Sequence, residues 1–156
     1  MQLTHAPIRV ATGAFILNSG IGKLSADEGT AQFLHGAAAS TYPALFQDMK
    51  PASFARLLAY SEIALGAALL APMVPATVAG AGLTGFGASL IGMYLKNDDM
   101  TLDDGIRPSQ AGTAVAKDVW LVGAGLTLLT QGIAGAAKSG ARATKKSLRK
   151  ATPFTG

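Results

Sequence analysis

The sequence predicts an all-α integral membrane protein, a four-helix bundle with short interfacial helices in its first outer connection. Two observations carry that prediction. Only 14% of the 156 residues are charged and the mean hydropathy is +0.34, an unusual balance for a soluble domain. No charge occurs between Glu62 and Lys96 or between Asp118 and Lys138, gaps long enough for helices that need about 20 apolar residues to cross a bilayer. A soluble bundle of buried apolar helices is the competing reading, and the gap lengths argue against it.

The first span is predicted over residues 8–24, retained and not removed as a signal peptide, because no small-residue cleavage signature precedes Lys23. Its uncharged stretch, 10–22, is short, so Arg9 and Lys23 are expected to snorkel from its ends or the bilayer to thin around them. The second span, 54–71, carries Arg56 and Glu62 and stops at Pro72 and Pro75, which cannot continue a helix. The third, 76–95, starts immediately after this turn, which makes it the antiparallel neighbour of the second. Its small residues recur every four positions, at Ala81, Gly85 and Ser89 and at Thr84, Ala88 and Gly92, a spacing that lets helices approach closely. The fourth, 111–133, has Lys117 and Asp118 in its first turns. Residues 1–134 form the bundle on this reading, and 135–156 a basic, flexible tail.

Between the first two spans, Ser25 and Glu28 fit a capping box that opens a short helix through Gln32, Phe33 and His35. Tyr42-Pro43 and Lys50-Pro51 punctuate the remainder of this connection. One or two short helices are expected on the outer membrane surface, with Phe33, Leu34, Leu45 and Phe46 facing lipid or the bundle. The tail holds Lys138, Arg142, Lys145, Lys146, Arg149 and Lys150, and the positive-inside rule puts it in the cytoplasm. Four crossings then bring the N-terminus to the same side and leave the loop with Asp98, Asp99, Asp103 and Asp104 outside. The tail sets topology and attracts anionic lipid, or docks a partner protein; tethering to a membrane sets nucleic acid aside.

Ionisable residues inside a span cost roughly 2.5–3.5 kcal/mol each at its centre and call for partners. Glu62 lies about 12 Å along its helix from the outer end, and Asp118 at a comparable depth. Lys23, Glu62, Lys117 and Asp118 are therefore expected in one layer, with Asn18 a turn or more deeper. Tyr60, Tyr94 and Trp120 fall in the same outer half, as an aromatic belt or as the wall of a pocket. The layer reads as a structural ion pair or as a ligand or proton site, and composition does not choose between them.

There is no cysteine, which excludes disulfides, thiolate zinc sites and cysteine-ligated iron–sulfur clusters. His5 and His35 are the only histidines, at the N-terminus and in the outer connection, so no pair of intramembrane histidines is available for haem. No metal site is expected, and the acidic pairs of the 96–107 loop read as solvated loop residues before they read as a calcium site. No catalytic triad assembles on one side of the membrane. Quinone is the one cofactor left open.

The stretches RVATGAFILNSGIGKL, SEIALGAALL and AKDVWLVGAGLTLL resemble the DoxX family of small bacterial membrane proteins. Arg9, Gly13, Gly20, Lys23, Glu62, Gly66, Lys117, Asp118 and Gly123 carry the resemblance, which covers residues 8–134. It implies a four-helix bundle in the bacterial cytoplasmic (inner) membrane, in a family that includes subunits linked to quinone-dependent sulfur oxidation and redox-stress assemblies. Without cysteine or intramembrane histidine, any redox role here needs a bound quinone or a partner's cofactor, and no catalytic residue is carried across. The function expected first is an accessory or scaffold subunit of a larger membrane complex, respiratory or quinone-linked, and not catalytic by itself. The alternative is a quinone-handling oxidoreductase, or a subunit of one, in which Glu62 or Asp118 exchanges protons. A transporter is less favoured, because neither an inverted repeat nor a pair of broken helices is present.

Overall fold

A computed structural model describes residues 3–151, with the side chains at 3, 146 and 148–151 outside the described part. Lys146, Arg149 and Lys150 of the expected basic surface therefore lie outside the described side chains. Among the described residues seven α-helices succeed one another: α1 (Ala6–Lys23), α2 (Glu28–Thr41), α3 (Pro43–Phe46), α4 (Pro51–Leu70), α5 (Ala76–Lys96), α6 (Thr113–Ala116) and α7 (Val119–Ala151). Three are long and apolar enough to cross a membrane by length and composition: α4, α5 and the stretch Thr113–Lys145 that includes most of α7. The shorter and less apolar α1, which carries Arg9 and Lys23, is not among them.

Prolines set several helix boundaries. Pro7 and Pro51 stand in the first turns of α1 and α4, where the missing N–H costs no hydrogen bond. Ala71 is extended, as a residue before proline must be, and α4 ends there. The predicted capping box is replaced by a different cap: the Asp27 carboxylate accepts from the Thr30 backbone N–H at 2.7 Å, while the Ser25 hydroxyl turns back to Gly22 O. α2 is also longer than expected. At the other end of the chain α7 does not stop near 133 but continues as helix through the basic segment to Ala151. Ala, Lys and Arg favour helix, and no proline interrupts before Pro153.

The long helices form two pairs, α1 along α4 and α5 along α7. α4 and α5, expected to be close neighbours because the turn between them is short, make few contacts with each other. Glycine explains the pairing that occurs. A Cβ on Gly66 of α4 would sit 2.7 Å from the Leu17 nitrogen, and one on Gly20 of α1 would sit 2.7 Å from Ala59 O. Across the other pair, a Cβ on Gly80 would meet the Leu129 nitrogen at 2.5 Å and one on Gly125 the Thr84 nitrogen at 2.5 Å. The packed row on α5 is thus Gly80, Thr84 and Gly87, whereas Ala81, Gly85, Ala88 and Ser89 are exposed. Spacing revealed the small-residue face but put its centre one residue off. Ile16, Leu69, Ala79, Leu83, Leu121, Ala124 and Leu128 fill the core where the pairs meet.

Arg9 departs most from its sequence reading. It does not snorkel; it is 1% exposed, and its guanidinium reaches across to the end of α4. Nε donates to Leu69 O at 2.7 Å, Nη1 to Val74 O at 2.9 Å, and Nη2 to Ala68 O and Ala71 O at 2.9 and 2.8 Å. The last carbonyls of a helix have no partner within it and carry its partial negative charge, so one cation satisfies both needs.

Two variants test this packing by thermal unfolding in detergent. Arg9→Met, which removes a charged donor from four carbonyls, should cost about 3 kcal/mol or more, given about 1.5–3 kcal/mol for a single charged hydrogen bond. Gly80→Leu should cost at least about 1–3 kcal/mol, while Gly85→Leu, with nothing near its Cβ, should stay within about 0.5 kcal/mol of the wild type.

Candidate functional site: a cavity between the helix pairs

Because α4 and α5 diverge, a cavity of about 700 Å3 opens between the two pairs, within the size range of small-molecule sites. α2 and α3 roof it. The roof is tied down by polar contacts at its edges: Tyr42 Oη donates to Ser89 O at 3.0 Å, Asn97 Nδ2 to Thr41 Oγ1 at 3.0 Å, and Ser40 Oγ to Asn97 Oδ1 at 2.9 Å. His35 Nε2 donates to Phe46 O at 2.9 Å, joining α2 to α3, and both rings pack edge-on against Phe54. Gly92 leaves the room that the Tyr42 hydroxyl fills.

The walls are mostly apolar: Phe15 and Ile16 from α1, Leu34 and Phe46 from the roof, Leu57 and Leu58 from α4, and Phe86, Leu90 and Met93 from α5. Leu45 and Leu57 are 69% and 48% exposed, so the cavity opens to the surface between the roof and α4. Of the expected outer apolar residues, Leu34, Leu45 and Phe46 face this cavity, whereas Phe33 points away and is exposed.

Three residues of the wall are charged. Glu62, 4% exposed, accepts from Lys23 Nζ at 2.9 Å, and the same ammonium donates to Ser19 Oγ at 2.6 Å. Asp118 lies on the wall with them, at the break between α6 and α7. Lys23 neutralises one carboxylate; among the described residues Asp118 makes no ion pair, so the wall carries one carboxylate more than it has cations. Desolvated ions of this kind cost several kcal/mol each unless paired, and an excess carboxylate in an apolar cavity is suited to accept a hydrogen bond or a proton from an occupant.

The structure thus brings together Lys23, Glu62 and Asp118 from the expected layer and leaves out two members. Asn18 is exposed on the far side of α1, and Ser19 stands where it was expected; one residue turns the helix by about 100°. Lys117 is exposed and does not line the cavity. None of the three expected aromatics lines it either. Tyr60 is 61% exposed, Tyr94 is buried with its hydroxyl donating to Ile106 O, and Trp120 packs edge-on against Phe15 at 5.7 Å from outside. Phe15 and Phe86 are the aromatic wall that sequence reasoning did not single out. Lys138, Arg142 and Lys145 are exposed along α7, away from the cavity.

Among the described residues no group of three His, Asp or Glu side chains could hold a metal ion. In the 96–107 loop, Asp104 accepts from the Arg107 side chain and from the backbone N–H groups of Ile106 and Arg107. These bonds, led by Arg107, hold its carboxyl below the usual range. No family model, curated protein or solved structure matches the chain.

The polar pair makes an asymmetric prediction. Lys23→Met leaves a nearly fully buried carboxylate without its partner and should cost about 3–5 kcal/mol, whereas Glu62→Gln frees a lysine whose side chain is already 21% exposed and can turn outward, at smaller cost. Adding Glu62→Leu to Lys23→Met should recover most of the loss, read as the unfolding midpoint of the double variant against each single one.

Proposed function

We propose that the protein is a membrane-embedded subunit that holds a lipid-soluble molecule with a polar head in the cavity, and that a quinone or quinol is the class of molecule that fits best. One observation carries this reading: a cavity with mostly apolar walls has the Lys23–Glu62 pair and Asp118 as its charged lining residues. A quinol hydroxyl finds acceptors in Asp118 and Glu62, a quinone carbonyl finds a donor in Lys23, and the apolar walls take the ring and the start of the tail. The cavity opens sideways between α4 and the roof, which suits entry from lipid. The sequence has no cysteine to ligate a redox centre; in this reading electrons come from a partner's cofactor, and the charged residues of the wall exchange protons.

The reading includes four membrane spans, with α1 as the fourth. Support for α1 comes from its backbone-close pairing with α4 and from Arg9, whose charge is hidden on carbonyls, where an unpaired charge would oppose insertion. It also includes the DoxX resemblance, a bacterial inner-membrane location and cytoplasmic termini, the last from the charge bias of α7.

A second reading, an accessory or scaffold subunit beside a respiratory or quinone-linked complex, is favoured by a separate observation. The exposed pair Ala81 and Gly85, one turn apart on α5, is open to a neighbouring membrane helix of a partner. The two readings are compatible in one subunit.

Titration of a short-chain ubiquinone analogue into the detergent-solubilised protein tests the first reading. Saturable binding is expected, weakened about tenfold or more by Leu90→Trp, which fills the cavity, and several-fold by Asp118→Asn. Unchanged binding in the Leu90→Trp variant contradicts it. For the second reading, Gly85→Leu should abolish co-purification of partner subunits from native membranes while leaving the protein folded.

A further inference from the structure

The opposite end of the molecule holds a second cavity, of about 300 Å3. Its walls are His5, Arg9, the 72–75 turn, the first residue of α5 and one face of α7. His5 is 3% exposed, and among the described residues its Nε2 has no hydrogen-bond partner. Buried polar atoms are almost always satisfied in folded proteins, so an unpartnered nitrogen on a cavity wall points to an occupant.

The electrostatics specify its sign. No acidic residue lines the cavity. The C-terminus of α4 and the N-terminus of α5 meet at the turn, and their partial charges of about half an electron each, opposite in sign, offset one another. Arg9 adds a full positive charge. Four of its five N–H groups go to carbonyls, which leaves one donor. No side chain among the described residues caps α5, whose N-cap is Pro75; Val78 and Ala79 N–H turn to Pro75 O, and Ala76, which lines the cavity, presents the free N–H at the positive end of a 21-residue helix. On the α7 side Lys138 and Arg142 come within two turns, both exposed.

We propose that this cavity binds a single phosphate group, either as inorganic phosphate or as the phosphodiester of an anionic lipid headgroup. Donors come from two elements, from His5 and Arg9 one turn apart at the start of α1 and from the start of α5, which suits a tetrahedral anion with several oxygens. The site is distinct from the cavity at Glu62, and its occupancy does not depend on what that cavity binds.

The test uses the full-length chain in lipid nanodiscs. Inorganic phosphate is titrated calorimetrically in phosphatidylcholine discs, and lipids retained after release from mixed phosphatidylcholine and phosphatidylglycerol discs are counted by native mass spectrometry. Arg9 variants are avoided because the fold depends on Arg9. His5→Leu removes the free nitrogen, and Ala136→Phe, on the exposed side of α7, blocks the mouth without touching the core. One bound phosphate group per chain is expected, with affinity or retention reduced at least about fivefold in both variants, or in Ala136→Phe alone should His5→Leu fail to fold. Binding of inorganic phosphate without preference for phosphatidylglycerol assigns the free anion; preferential retention of one phosphatidylglycerol assigns the headgroup. The proposal is overturned if neither probe binds, or if phosphatidylglycerol retention survives Ala136→Phe and is lost only on Lys138→Gln and Arg142→Gln together, which is attraction to the surface of α7.

Discussion

The molecule is organised by what happens to the charge of Arg9. A guanidinium on an apolar helix cannot be buried unless its donors are satisfied, and here the donors find the carbonyls that α4 exposes where Pro72 ends it. That arrangement fixes the start of α1 at the end of α4 and sets the two helices antiparallel. It also brings Lys23, at the far end of α1, level with Glu62. The ion pair at one end and the capped helix terminus at the other are two consequences of a single alignment, held between them by Gly13, Gly20 and Gly66 at backbone contact.

The second pair, α5 and α7, is built on the same device of glycine against backbone, but without a buried charge. Since each long helix spends its closest face on its own partner, little is left for α4 to offer α5 beyond the turn. The cavity is the remainder of that choice. Its charged residues come from α1, α4 and the α6–α7 break, and the break falls at Lys117 and Asp118, so that a chain interruption delivers a carboxylate to a mostly apolar wall. An exposed exit beside α2–α3 and a carboxylate with no ion pair among the described residues are the features from which the function proposal grows.

Much of the helix plan could be read from the sequence, because charge gaps and prolines act locally: the 72–75 turn lies where Pro72 and Pro75 required. Lys23 and Glu62 were legible as partners because depth along a helix comes from counting residues. Phase was less legible. Asn18 in place of Ser19, and Ala81 in place of Gly80, are errors of one residue, and such an error turns the side chain by about 100°. The role of Arg9 was not legible, since its partners lie 59 to 65 residues away and are backbone carbonyls that carry no residue-type signal. The aromatic wall was missed because Phe15 and Phe86 look like ordinary lipid-facing residues until the roof folds over them. The length of α7 was missed because high charge was equated with a loose tail, although lysine, arginine and alanine are strong helix formers.

Both helix pairs, α1 included, are proposed to sit in the bilayer around the cavity, and site-directed spin labelling tests this most directly. The chain has no cysteine, so single cysteines can be introduced at Ala14, Ala64 and Gly85, exposed positions near the middle of α1, α4 and α5, at Leu126, exposed in the apolar part of α7, and at Gly105 and Lys138 as references. Each is spin-labelled in reconstituted vesicles and its collisions with oxygen and with a water-soluble nickel chelate are compared. A bilayer around both pairs predicts high oxygen and low nickel accessibility at the first four positions and the reverse at the two references. Nickel accessibility at Ala14 equal to that at Gly105 would contradict it.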